Sequence, residues 1–208
     1  MIPSAILAGI VMLASGVVST PHRKYDLTSR APLPGFNLKV LEWTAQATPG
    51  GETINVNGTV QDVVAALNKI DPQYEARLRQ DTSLQSRSLD ESYFYKRKSY
   101  DCIRIGSRGV DPGEIKDGIR YLRTVSGRPK NGPGPGNCGR ISCSWASAIY
   151  WCNEDESEKE LDTFARIADA ASFLVQKCWD GKRGSGFGGT VIHEDNWSVV
   201  IKFDGENC

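Results

Sequence analysis

Apolar residues recur with a helical period in two places and alternate in several others. Phe164, Ile167, Ala168, Ala171, Leu174, Val175 and Cys178 follow i, i+3, i+4, i+7 spacing, so the sequence predicts an amphipathic helix there. Asp162 is its expected N-cap and Gly181 lies just past its end. Asp111-Pro112 predicts the start of a shorter helix with Ile115, Ile119 and Leu122 buried and Gly127 as its C′ residue. Strand-like runs cover Tyr100 to Ile105, Arg140 to Ser144, Ala146 to Asn153, Thr190 to His193 and Trp197 to Phe203. The last strand sets Trp197, Val199, Ile201 and Phe203 on one face. Residues 127–137 (GRPKNGPGPGN) read as loop by composition, as does the glycine run Gly184 to Gly189.

The order β-α-β-β-α-β-β predicts an α+β domain. Its expected form is a two-layer sandwich, an antiparallel sheet of about five strands with two helices on one face. Residues 98–208 would form it, stapled by disulfides. Upstream, Asn37 to Thr44 alternates with Leu38, Val40 and Glu42 on one side, and Ile54 to Val56 suggests a short strand. Thr59 is placed to cap a helix carrying Val63, Val64, Leu67 and Ile70, which Asp71-Pro72 ends. These signals predict a small β-β-α unit, followed by a polar linker over 80–92.

The front of the chain changes the picture. Ala5 to Ala14 is apolar but too short to span a bilayer, and Val17-Val18-Ser19 suits cleavage after Ser19. Residues 1–19 are therefore expected to be a signal peptide and the protein to be secreted. All six cysteines, Cys102, Cys138, Cys143, Cys152, Cys178 and Cys208, lie in the second half, with Lys96-Arg97 just before the first. That split predicts a propeptide over 20–97, removed by a kexin-type protease at Lys96-Arg97. In an oxidising compartment six cysteines imply up to three disulfides, and fifteen pairings are open. Cys178, on the apolar face of its helix, is expected to tie helix to sheet. Cys208 is expected to pin the last strand. A second dibasic pair, Lys182-Arg183, falls in the glycine-rich loop.

Charge narrows the partners. The chain has 25 basic and 25 acidic residues. Residues 98–208 hold 15 basic and 16 acidic, which argues against a nucleic-acid binder. Arg120, Arg123, Arg128, Lys130 and Arg140 cluster in sequence, as do Glu154, Asp155, Glu156, Glu158 and Glu160. With no CxxC motif, neither a metal nor another cofactor is expected. His193 is the only histidine after His22; beside Glu194 and Asp195 it is the one candidate for acid–base work, and no nucleophile elbow accompanies it. Asn57-Gly58-Thr59 and Asn196-Trp197-Ser198 are glycosylation sequons. Trp145, Trp151, Trp179 and Trp197 are dense, and Trp145, at a hairpin turn, is the one expected to be exposed.

NGPGPGNCGRISCSWASAIYWCN, the helix ending at Cys178, DNWSVVIKFDGENC and the earlier GTVQDVVAALNKIDPQY resemble small secreted ascomycete proteins regarded as candidate effectors. The layout is similar to that of fungal killer toxins and necrosis-inducing extracellular effectors, although killer toxins carry more cysteines. The resemblance implies a monomeric, non-enzymatic effector or toxin-like protein. Its target in a host or competitor would be a protein, a membrane component or a cell-wall glycan. The alternatives are a hydrolase with a minimal acid/His site and a carbohydrate-binding protein using exposed tryptophans.

Overall fold

The computed structural model describes residues 32–48, 50–80, 97–103, 109–182, 186–205 and 208. The expected signal peptide, His22, residues 81–92 of the expected linker, Lys96 and Arg183 lie outside the described residues.

Ten strands and four helices are present among the described residues. They run β1 (Asn37–Lys39), β2 (Leu41–Gln46), β3 (Thr53–Gly58), α1 (Val60–Ile70), α2 (Tyr74–Gln80), β4 (Arg97–Ile103) and α3 (Pro112–Thr124). Then follow β5 (Lys130–Asn131), β6 (Asn137–Ser144), β7 (Ser147–Asn153), β8 (Lys159–Glu160), α4 (Ala165–Cys178), β9 (Gly188–His193) and β10 (Trp197–Phe203). The main sheet has six strands in the order β1-β6-β7-β10-β9-β4. Five come from the cysteine-rich half and are mutually antiparallel. The sixth, β1, comes from the front segment and pairs parallel to β6, Leu38 opposite Cys138. The expectation of about five strands is corrected by this added edge strand, which the strand-like run from Asn37 placed in a separate front unit instead of in this sheet.

Both faces of the central strands are covered. On β7 and β10, Ile149, Trp151, Val199 and Ile201 join the main core, under α3 and α4. The alternate residues Ala148, Tyr150, Cys152 and Val200 join a second cluster with Leu38, Cys138 and Cys143, which Leu33 and Phe36 flank. Strand side chains alternate between faces, so the second cluster lies on the side opposite the helices.

The front segment shares the main core. Trp43, Val60, Val63, Val64 and Leu67 are each at most 4% exposed within it. Burying side chains of this size stabilises by roughly 1.5–3 kcal/mol each, as an upper estimate. Trp43 stacks on Phe164 with ring centroids 4.3 Å apart. The expected face over residues 37–44 is corrected, because the chain breaks at Val40 between β1 and β2. Leu41, Trp43 and Ala45 turn inward, while Val40 is 55% exposed and Glu42 is exposed. Ile70, placed on the buried face of α1 by spacing, is 51% exposed. As expected, Thr59 precedes α1: its backbone N–H and hydroxyl both donate to Asp62 Oδ2, at 2.7 and 2.9 Å.

Several boundaries shift for local reasons. Helix α3 starts as expected, with Asp111 accepting from the Gly113 N–H. It ends at Thr124 through the Val125 N–H bonding Tyr121 O, so Gly127 lies beyond the cap. Helix α4 begins at Ala165 rather than after Asp162, because the Thr163 hydroxyl takes the Ala165 N–H. Within 127–137, residues 130–131 do form a ladder, the short β5–β8 pair. Strand β9 begins two residues before Thr190. An added Cβ on Gly189 would meet Asp101 O at 2.7 Å and Cys178 Sγ at 3.1 Å, so a glycine that reads as loop is required by close packing.

Three disulfides form. Cys102–Cys178 ties β4 to the end of α4, the expected helix-to-sheet link. Cys138–Cys152 crosses from β6 to β7, and Cys143–Cys208 ties the carboxyl end to β6.

Candidate functional site

The most exposed large apolar side chain among the described residues is Trp145, at 80%. It forms, with Ala146, the two-residue connection between β6 and β7, where Ser144 pairs with Ser147. Both connecting residues hold positive φ, 44° and 60°. That is the signature of a type I′ hairpin turn, which Asn-Gly fills at least cost. A β-carbon in this region costs about 1–2 kcal/mol per residue.

The base of the turn is fixed from several sides. Cys143 is bonded to Cys208. The Ser144 hydroxyl donates to Glu114 on α3 at 2.6 Å, and the Asp111 N–H donates to Ser147 Oγ at 2.9 Å. The Asp204 N–H donates to Ala146 O at 2.8 Å. Asp204 also accepts from Arg140 and from the Tyr150 hydroxyl, both at 2.8 Å. Burial and the adjoining carboxylate push the Tyr150 hydroxyl well above its ordinary pKa, so it stays a donor. The result is a bare indole on an immobilised tip. The other tryptophans of the cysteine-rich half lie elsewhere: Trp151 and Trp197 are in the core, and Trp179 is half-buried over Lys116.

His193 is in a different environment. It is 4% exposed and stacks on Trp197 with centroids 3.7 Å apart. Neither ring nitrogen has a hydrogen-bond partner among the described residues. Burial pushes its pKa down to about 4; Asp195 opposes this and Arg97 and Arg166 reinforce it. Asp195 accepts from Trp197 Nε1 at 2.7 Å and pairs with Arg166 at 3.3 Å, while Glu194 is exposed. The three residues adjacent in sequence therefore do not converge on one point.

Arg97, the described half of the dibasic pair, opens edge strand β4 opposite His193 and lies 3.8 Å over the Phe173 ring. Chain scission after Arg97 would remove one rung of the β4–β9 ladder. The rungs from Ser99 to Ile103 and the Cys102–Cys178 bond would still hold β4. Asn57 is exposed on β3. Asn196 is exposed at the β9–β10 turn, with its amide donating to Asp155 at 2.9 Å.

Most members of the two charge clusters have partners. Arg120 bonds Asp117, Arg123 bonds Asp169, and Arg128 and Lys130 share Glu160. Asp155 bonds Lys159, while Glu154 accepts from the Ser198 hydroxyl. A cleft of about 420 Å³ runs along the seam between the front segment and the rest, with Lys39, Glu42, Trp43, Arg128, Lys130 and Phe164 in its walls. Among the described residues no three His, Cys, Asp or Glu side chains gather into a metal-ligand set, and no helix is long and apolar enough to cross a membrane. Trp145 was legible as the exposed residue, since it falls between two strand-like runs. The pairing of Arg140 with Asp204, 64 residues apart, carried no local signal. No family model matches the chain, and neither a curated protein nor a solved structure is similar to it.

Proposed function

We propose that this chain is the precursor of a secreted, non-enzymatic effector or toxin-like protein. Residues 98–208 are its active body, cut from the front segment at Lys96-Arg97, and it acts by binding a target in a host or competitor. The observation that carries this reading is Trp145. An indole left in water on a backbone conformation that disfavours it gains nothing for the fold, and such strain is concentrated at functional positions. Aromatic anchors on rigid supports are typical of binding hot spots. Three disulfides in a small body fit an oxidising, extracellular setting. The burial of His193 away from Glu194 supports a role without acid–base chemistry at that pair.

The test applies the purified secreted protein to host tissue and to competitor cells. Trp145→Ala is expected to abolish cell death or growth inhibition. His193→Ala with Glu194→Ala is expected to keep it wherever the protein still folds. Activity that survives Trp145→Ala and vanishes in a folded His193/Glu194 variant would replace binding by hydrolysis. The same exposed indole favours a second reading, a cell-wall glycan ligand. Retention on chitin or glucan that Trp145→Ala removes would support it.

A further inference from the structure

We infer that the front segment, residues 37–80, is a resident subunit that stays docked on the cysteine-rich body after cleavage, making the mature protein a non-covalent two-chain complex. The inference rests on the precursor reading and adds what becomes of the removed piece. Four independent contacts support it.

Strand β1 supplies the edge ladder of β6 over Asn137, Cys138 and Gly139. Past the end of that ladder Gln61 of α1 continues it with a side chain: its Oε1 accepts the Cys143 N–H at 3.1 Å and its Nε2 donates to Ser142 Oγ at 2.7 Å. The front segment thus satisfies backbone groups of β6 that the body leaves open. Leu38 and Leu41 straddle that edge, one in each apolar cluster. The body also makes room for its partner. Gly139 lies in mid-strand, and an added Cβ there would stand 2.5 Å from Leu41. The missing side chain on β6 is filled by the front segment. On the far side, Glu75 on α2 accepts from the Tyr121 hydroxyl of α3 at 2.8 Å, and Arg79 donates to the same oxygen at 3.1 Å. A segment that only led the chain to the membrane would need none of this. Without it, the body would bare an unpaired strand edge beside apolar surface, a template for aggregation.

The occupant is therefore a strand-plus-helix segment of this same chain, and the surface it covers is the β6 edge with the adjoining main core. The experiment uses the full chain with a site for a sequence-specific protease replacing residues 84–89. The protein is cut, then passed through size exclusion under native conditions at micromolar concentration. Both pieces are expected in one peak. Separation of the wild-type pieces would overturn the inference. Gly139→Val, compatible with a strand backbone, is expected to weaken retention more than tenfold, and adding Leu41→Ala to restore part of it. Gln61→Ala, which leaves the packing intact, is expected to weaken retention about tenfold through two lost hydrogen bonds. Retention unchanged by both Gly139→Val and Gln61→Ala would also overturn the inference. Separately, the natural chain is offered to a kexin-type protease. Failure to cut at Lys96-Arg97 would count against the precursor reading alone, since the engineered cut tests retention without it.

Discussion

Replacing Trp145-Ala146 by Asn-Gly should make the protein more stable while removing its function. Both residues hold positive φ, at 44° and 60°, in a two-residue hairpin loop. Each β-carbon there costs about 1–2 kcal/mol, and Asn tolerates the conformation better than Trp. Glycine at 146 removes the clash but loses about 0.5–1 kcal/mol to the greater freedom of the unfolded chain. Trp145 is 80% exposed, so its removal forfeits little buried area. The net gain is about 1 kcal/mol, or about 2–4 °C in Tm for a protein of this size. Urea unfolding of the paired substitution, Trp145→Asn with Ala146→Gly, followed by tryptophan fluorescence and far-UV dichroism, measures it. A rise in midpoint at unchanged slope is expected, with loss of toxicity or binding. A fall of 1 kcal/mol or more would show that the indole supports the fold and would refute the argument that it is held out for a partner.

Two further outcomes follow from the core. His193 has a folded pKa near 4, below the ordinary value of 6.5, so the unfolded chain binds the extra proton first. Stability is then full above pH 6.5 and falls as pH drops toward 4, by about 3 kcal/mol from this group. His193→Phe keeps the stack on Trp197 and should flatten that part of the pH profile in urea titrations; an unchanged slope between pH 6.5 and 4 would refute the assignment. Replacing Cys102 and Cys178 together by Ser opens a crosslink spanning 76 residues of sequence. A loss of about 4 kcal/mol is expected by denaturant unfolding, and a loss under 1 kcal/mol would mean that the β4–α4 contact is self-sufficient.

Helix α3 was legible from its Asp111-Pro112 start, and α4 from an apolar period that extends over about four turns. Strand β10 was legible to the residue, since Trp197, Val199, Ile201 and Phe203 repeat at every second position and a turn precedes them. Short elements escaped: β5 and β8 hold two residues each and pairing alone defines them, while β1 lies inside the strand-like run from Asn37 but its place beside β6 had no local signal. Helix α2 was not foreseen either; it is fixed by Asp71 O accepting from Tyr74 and by its contact with Tyr121, not by a stripe of its own. Glycine was uninformative at two positions. Gly189 resembled loop, yet it marks where β9 meets the Cys102–Cys178 bond, and Gly139 marks where Leu41 enters. Nothing local announces that a strand must lack a side chain for a partner some hundred residues away. Trp145 was predictable as exposed from its place between two strand-like runs, whereas its strain and the fixing of its base by Glu114, Asp111 and Asp204 arise only in three dimensions.

The proposed mature protein is a two-part molecule, a stapled body and the segment that completes its sheet. Intact mass of the naturally secreted protein, taken under native and then denaturing conditions, tests it most directly. One native mass is expected, splitting on denaturation into two chains, the heavier beginning at Lys98 and carrying three disulfides. A single chain beginning at Thr20 under both conditions would contradict it.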